Sequence, residues 1–103
     1  MKTLIGLIPP STLPQVRTAL LDMGVVGLTV THVKSTGQEH PHPAAFIPQI
    51  KLEILLGDVG TDRVIDTLTD IVRQNPEGDG KIYVLETACV VRVRTGETGE
   101  AAI

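Results

Sequence analysis

The same plan, strand then helix then strand, is written twice in this chain, and that repetition limits the fold to very few arrangements. Lys2 to Ile8 form a short apolar segment that must stop at Pro9-Pro10, where the amide donors of a strand run out. Thr12-Leu13-Pro14-Gln15 then reads as a capping box with proline in the first turn, and Leu13, Val16, Ala19, Leu20 and Met23 recur at helical spacing up to Gly24. Residues 25–34 are rich in β-branched side chains and read as a second strand, with Gly27 as a bulge or close-approach point near its start.

The second half follows suit. Residues 50–56 alternate apolar Ile50, Leu52 and Ile54 with polar Lys51 and Glu53, the signature of a half-buried strand. Val64, Ile65, Leu68, Ile71 and Val72 make the buried stripe of a second helix, with Asp62 and Asp66 towards its N-terminal end and Asn75-Pro76 as its stop. Residues 81–86 form the fourth strand and 90–95 a fifth extended piece. The order βαββαβ predicts an α+β, ferredoxin-like sandwich: one antiparallel sheet with both helices on one face, plus a short C-terminal strand and tail. A doubly wound sheet would need more crossover helices than the length supplies. The other sheet face is left open, and Leu4, Ile54 and Val84 are expected to make it apolar, so that self-association buries it.

Composition narrows the function. With 103 residues and 42% apolar content the chain is one domain around one core, spanning residues 1–103. The net charge of -3 removes the broad basic field that non-specific nucleic-acid binding uses, so no nucleic-acid partner is expected. No apolar run approaches the ~20 residues of a membrane span. The opening MKTLIGLIPPS lacks a small-residue cleavage site, so a cytoplasmic protein without membrane insertion is expected. Cys89, the one cysteine, sits among Ala88, Val90 and Val91 and reads as a buried, inert thiol.

Two features point to a ligand. Gly78-Asp79-Gly80-Lys81 places a glycine turn ahead of a strand, where backbone amides and one ammonium can cradle phosphate oxygens; the competing reading is an ordinary hairpin entry. Arg92 and Arg94, one residue apart on an extended segment, would share a face and fork onto the same polyphosphate while Val91 and Val93 face the core. Here the alternative is a solvated strand face paired to Glu97 or Glu100. Taken together, the two features favour phosphate.

The stretches GDGKIYV and VVRVRTGETGEAAI resemble the two signature segments of the PII family, trimeric signal-transduction proteins that bind adenine nucleotides in the clefts between subunits. The first 37 residues, through THVKSTG, are similar to that family's first half, and IPQIKLEILL to its third strand. The resemblance implies a homotrimer with its sheets packed inward and a T-loop at 35–48. It also implies a nucleotide-binding turn at 78–81 and a C-terminal segment at 92–103. It places contacts to ADP, AMP or ATP at Thr29, Gly37, Gln38, Glu53, Leu55, Gly78, Asp79, Gly80, Lys81, Arg92 and Arg94. The division of labour is chemically sensible: Lys81, Arg92 and Arg94 neutralise phosphates, while Thr29, Glu53 and strand amides read the adenine edge. Phe46 and Tyr83 are the only aromatics, so the base is expected in an aliphatic slot.

The loop departs from the family. STGQEHPHPAAFIP is short and proline-rich, Gln38-Glu39 stands where the family has Arg-Gln, and Gln49 matches a lysine that pairs with the 2-oxoglutarate carboxylate. Losing that cation and placing Glu39 near a dianion predicts little or no 2-oxoglutarate binding. The loop also lacks the tyrosine that some members have modified and the arginine that plugs an ammonium channel. An intact nucleotide site with a rebuilt loop resembles PII-like proteins of inorganic-carbon uptake or carboxysomes, which respond to adenylates and bicarbonate; Lys34, Lys51 or Gln38 are the candidates for holding bicarbonate. The implied partner is a target enzyme or transporter met through the T-loop, and the conventional alternative is a nitrogen-regulatory PII protein. His40 and His42, with His32 further back, read as a solvated loop rather than a metal site. No catalytic residue stands out. A small phosphatase or ATPase would need more than Asp79 and Glu97, so the chain is not expected to be an enzyme. An RNA-recognition sheet would display more aromatics.

Overall fold

A computed structural model describes residues 1–36, 45–76 and 79–103. Strand β1 (Lys2–Ile8) leads through a 3-10 turn (Pro10–Thr12) into helix α1 (Leu13–Asp22), followed by β2 (Thr29–Ser35), β3 (Ile47–Leu56), α2 (Thr61–Arg73), β4 (Lys81–Glu86) and a terminal 3-10 turn (Gly99–Ala102). The four strands form one antiparallel sheet in the order β2-β3-β1-β4, the ferredoxin-like arrangement.

The period-2 pattern of β3 decides which face is covered. Ile50, Leu52 and Ile54 are at most 1% exposed, and they meet Leu4 and Ile8 of β1, Val16 and Leu20 of α1, and Val64, Leu68, Ile71 and Val72 of α2. Leu4 pairs with Ile54 on one side and Val84 on the other, so all three point to the helix side. This corrects the expectation that Leu4 and Ile54 line the open face; both are fully buried under the helices, and only Val84, on the edge strand, stays 36% exposed. The open face carries the alternate residues: Ile5 between Glu53 and Tyr83, Leu7 between Lys51 and Lys81, and Thr3 between Leu55 and Leu85.

Helix α1 ends as its sequence suggests. Gly24 adopts φ 84°, its N–H reaches the Leu21 carbonyl, and the Val25 N–H reaches Leu20, a Schellman closure that needs a residue without Cβ strain. Its beginning differs. Thr12 is buried in helical backbone geometry and its hydroxyl donates back to the Pro9 carbonyl at 2.7 Å, so no capping box forms. The proline-led 3-10 turn has already started the helix, and a residue in that conformation cannot reach forward to the amides ahead of it.

Strand β2 starts at Thr29, four residues later than its β-branched run suggests; Gly27 lies in the preceding loop and is no bulge. At its other end, Ser35 pairs with Ile47, so both strands run into the segment expected to be loop. The 90–95 piece is not a fifth strand. It is one arm of a tight turn, with Val91 bridged to Thr98, the Arg92 N–H bonded to the Glu97 carbonyl, and Gly96 at φ 75°. Val91 and Val93 are exposed, 53% and 95%, rather than core-facing. Cys89 is also exposed: the chain leaves edge strand β4 at Glu86, and among the described residues no further strand pairs beyond β4. Among the described residues, no helix is long and apolar enough to cross a membrane.

Candidate ligand clefts on opposite edges of the sheet

The first cleft forms where β2 and β3 meet the C-terminal turn and encloses about 550 Å³. Thr29 stands opposite Glu53 in the β2–β3 ladder, and both line it together with Leu55 and Arg92. Its apolar wall comes from Val25, Val26, Leu28, Ala102 and Ile103. Four residues chosen from the sequence are thus brought together, against an aliphatic surface of the kind a purine ring can lie on.

The second cleft, of about 350 Å³, lies at the start of β4 and takes in Asp79, Gly80 and Lys81, with Arg73 from the last turn of α2. Gly80 is there for space: a Cβ would come within 2.6 Å of the Leu7 carbonyl oxygen. Arg73 escaped the sequence reading, although a cation in the last helical turn just before a glycine turn is a signal of the same kind. Ala102 and Ile103 escaped it as well, because nothing in their spacing says which surface the tail packs on.

Within one chain the two clefts are apart. Lys81 belongs to one edge strand and Thr29 to the other, three strand spacings away, which is about 14 Å across the sheet. Arg92 and Arg94 also separate: Arg92 lines the first cleft, whereas Arg94 sits in the exposed turn beyond it, because the segment bends there instead of running extended. Neither arginine forms an ion pair among the described residues. The carboxylate of Glu97 accepts instead from the Thr95 hydroxyl at 2.9 Å. Gly37, Gln38 and Gly78, with Glu39, His40 and His42, lie outside the described residues.

At the base of the β2–β3 arm, Gln49 is 8% exposed and its side-chain oxygen accepts a hydrogen bond from the Ser35 hydroxyl. Nearby, Lys51 lies 3.9 Å from Glu53. Among the described residues no group of three or more His, Cys, Asp or Glu side chains gathers in a way that would hold a metal ion.

These features define a small α+β protein that, among the described residues, carries a ligand-sized cleft on each edge of its sheet. The family model "Nitrogen regulatory protein P-II" matches residues 1–97. Nitrogen regulatory protein P-II 1 of Escherichia coli K12 is 38% identical over 112 aligned positions that cover both chains completely, and nitrogen regulatory protein GlnK of the same organism is equally similar. Among solved structures, Arabidopsis thaliana PII bound to citrate superimposes with a TM-score of 0.85 at 36% identity, covering 99% of this chain and 91% of that one. The chain belongs to the PII family of regulatory signalling proteins. The alignment is nine positions longer than the 103 residues of this chain, so the relatives carry positions that have no counterpart here.

Proposed function

We propose that the protein is an adenine-nucleotide sensor that acts as a homotrimer and signals through its T-loop to an enzyme or transporter. The observation that carries this reading is the cleft shared by Thr29, Glu53, Leu55 and Arg92, whose guanidinium has no ion pair among the described residues and shares the lining with an aliphatic wall. A phosphate chain leaving that cleft needs more cations than Arg92 supplies. Lys81 and Arg73 stand on the opposite edge of the sheet, so a neighbouring protomer is the natural source of them. The exposed apolar residues of the open sheet face, Leu55, Tyr83 and Leu85 among them, give the protomers a reason to associate. Thr29, Glu53, Leu55, Arg92 and Arg94 would then come from one subunit and Asp79, Gly80 and Lys81 from the next, with Gly37, Gln38 and Gly78 completing the set.

The effector proposed beside the nucleotide is bicarbonate rather than 2-oxoglutarate. Gln49 holds the position where the family's lysine meets the dicarboxylate, and it is buried and bonded to Ser35 instead of presenting a charge. The alternative is conventional nitrogen control, which the names of the relatives favour. Calorimetric titration separates the two: ADP, AMP and ATP are added with and without bicarbonate, then MgATP with 2-oxoglutarate. Heat that depends on bicarbonate supports the carbon reading, heat from 2-oxoglutarate with MgATP restores the nitrogen one, and no adenylate heat at all removes both. Either way, signalling requires the nucleotide to bind one loop state more tightly than another.

A further inference from the structure

The upper part of the β2–β3 ribbon lacks support that the rest of the sheet enjoys. Strand β1 follows β3 only as far as the pair Ile8 and Ile50, so positions 47–49 pair with β2 alone. Pro48 sits in that stretch, opposite Lys34, at the non-hydrogen-bonded position between the pairs Val33–Gln49 and Ser35–Ile47, where an edge tolerates proline. A two-stranded ribbon is marginal in water, and it would be expected to fray back to the level of β1.

The pairing nevertheless continues to Ser35 and Ile47. What distinguishes this end is a side-chain bond. Gln49 faces Val33, and Ser35 is its diagonal neighbour on the same face, close enough for the Ser35 hydroxyl to donate to the Gln49 carboxamide oxygen. Gln49 is more than nine-tenths buried and its bond to Ser35 is part-buried, so Gln49 is not free to swing outwards.

We infer that Ser35 and Gln49 form a clasp that sets where the ribbon ends and so where the signalling loop begins, with or without nucleotide. The pair is a positioning device: it holds the last ladder pair, Ser35 with Ile47, in register. This inference rests on the proposed role of the loop, but the clasp itself is measurable without any ligand.

The test is amide hydrogen exchange, resolved by residue, on the full chain with and without ADP, for wild type, Ser35→Ala and Ser35→Thr. In wild type the amides of Val33, Ser35 and Ile47 should be protected equally in both states. Ser35→Ala should speed their exchange by up to about tenfold, the loss expected for one part-buried hydrogen bond, while Leu52 and Ile54 keep theirs. Ser35→Thr, which retains the hydroxyl, should restore protection. Unchanged exchange in Ser35→Ala overturns the clasp, and so does wild-type protection at Ser35 and Ile47 that changes when ADP binds. If ADP leaves the amides around Thr29 and Arg92 untouched, the nucleotide reading fails instead, and the comparison of the three ligand-free proteins still decides the clasp.

Discussion

Thr29 and Glu53 stand directly opposite one another across β2 and β3, and the cleft they share is the one that Arg92 enters from the C-terminal turn. Elements separated by most of the chain therefore meet at a single surface. Glu53 offers acceptors for an exocyclic amine, Thr29 offers both donor and acceptor, and Arg92 brings a charge that no acidic neighbour neutralises among the described residues.

Arg92→Ala should weaken ADP binding about 10- to 100-fold, the range expected for losing a charge-assisted contact to phosphate. Arg94→Ala should weaken it less, because Arg94 lies in the turn beyond the cleft. Isothermal calorimetry gives both affinities, and light scattering should show the oligomer unchanged. Equal affinity in Arg92→Ala and wild type would mean that phosphates lie elsewhere.

Gly80→Ala tests packing rather than charge. The added methyl would meet the Leu7 carbonyl oxygen at 2.6 Å, and a backbone oxygen in a sheet cannot step aside cheaply. A loss of about 1–3 kcal/mol in denaturant unfolding is expected. Lys81→Met, which keeps the stem and removes the ammonium, should instead spare stability and reduce nucleotide affinity.

Leu85→Glu places a carboxylate on the open sheet face, where Leu85 is half exposed in the single chain. If that face is the assembly surface, three buried negative charges should convert the oligomer to monomer by light scattering. Nucleotide heat should vanish with it, since each site would need two subunits. A monomer that still binds ADP with full affinity would show that one chain suffices.

Gln49→Lys tests the effector proposed above: the lysine must leave a nearly buried slot, and the Ser35 hydroxyl loses its acceptor. The expected outcome is a less stable protein, by thermal unfolding, that gains little 2-oxoglutarate affinity. Strong 2-oxoglutarate binding by this variant would show that residue 49 alone selected the effector.

Residue periodicity made the helices, the core stripes of Leu52 and Leu68, and β4 readable from the chain alone, because local backbone preference and burial pattern there point the same way. It also singled out the glycine turn and the arginines as candidates for phosphate chemistry, each beside a structural reading. Which sheet face Leu4 and Ile54 occupy was not readable, since a period of two marks two faces but does not say which one the helices cover. The bend at 92–97, the exposure of Cys89, the separation of Lys81 from Arg92 and the contact of Ser35 with Gln49 belong to the tertiary structure. Each depends on strand order and on how far neighbouring strands extend, and those are set by contacts between residues far apart in the chain.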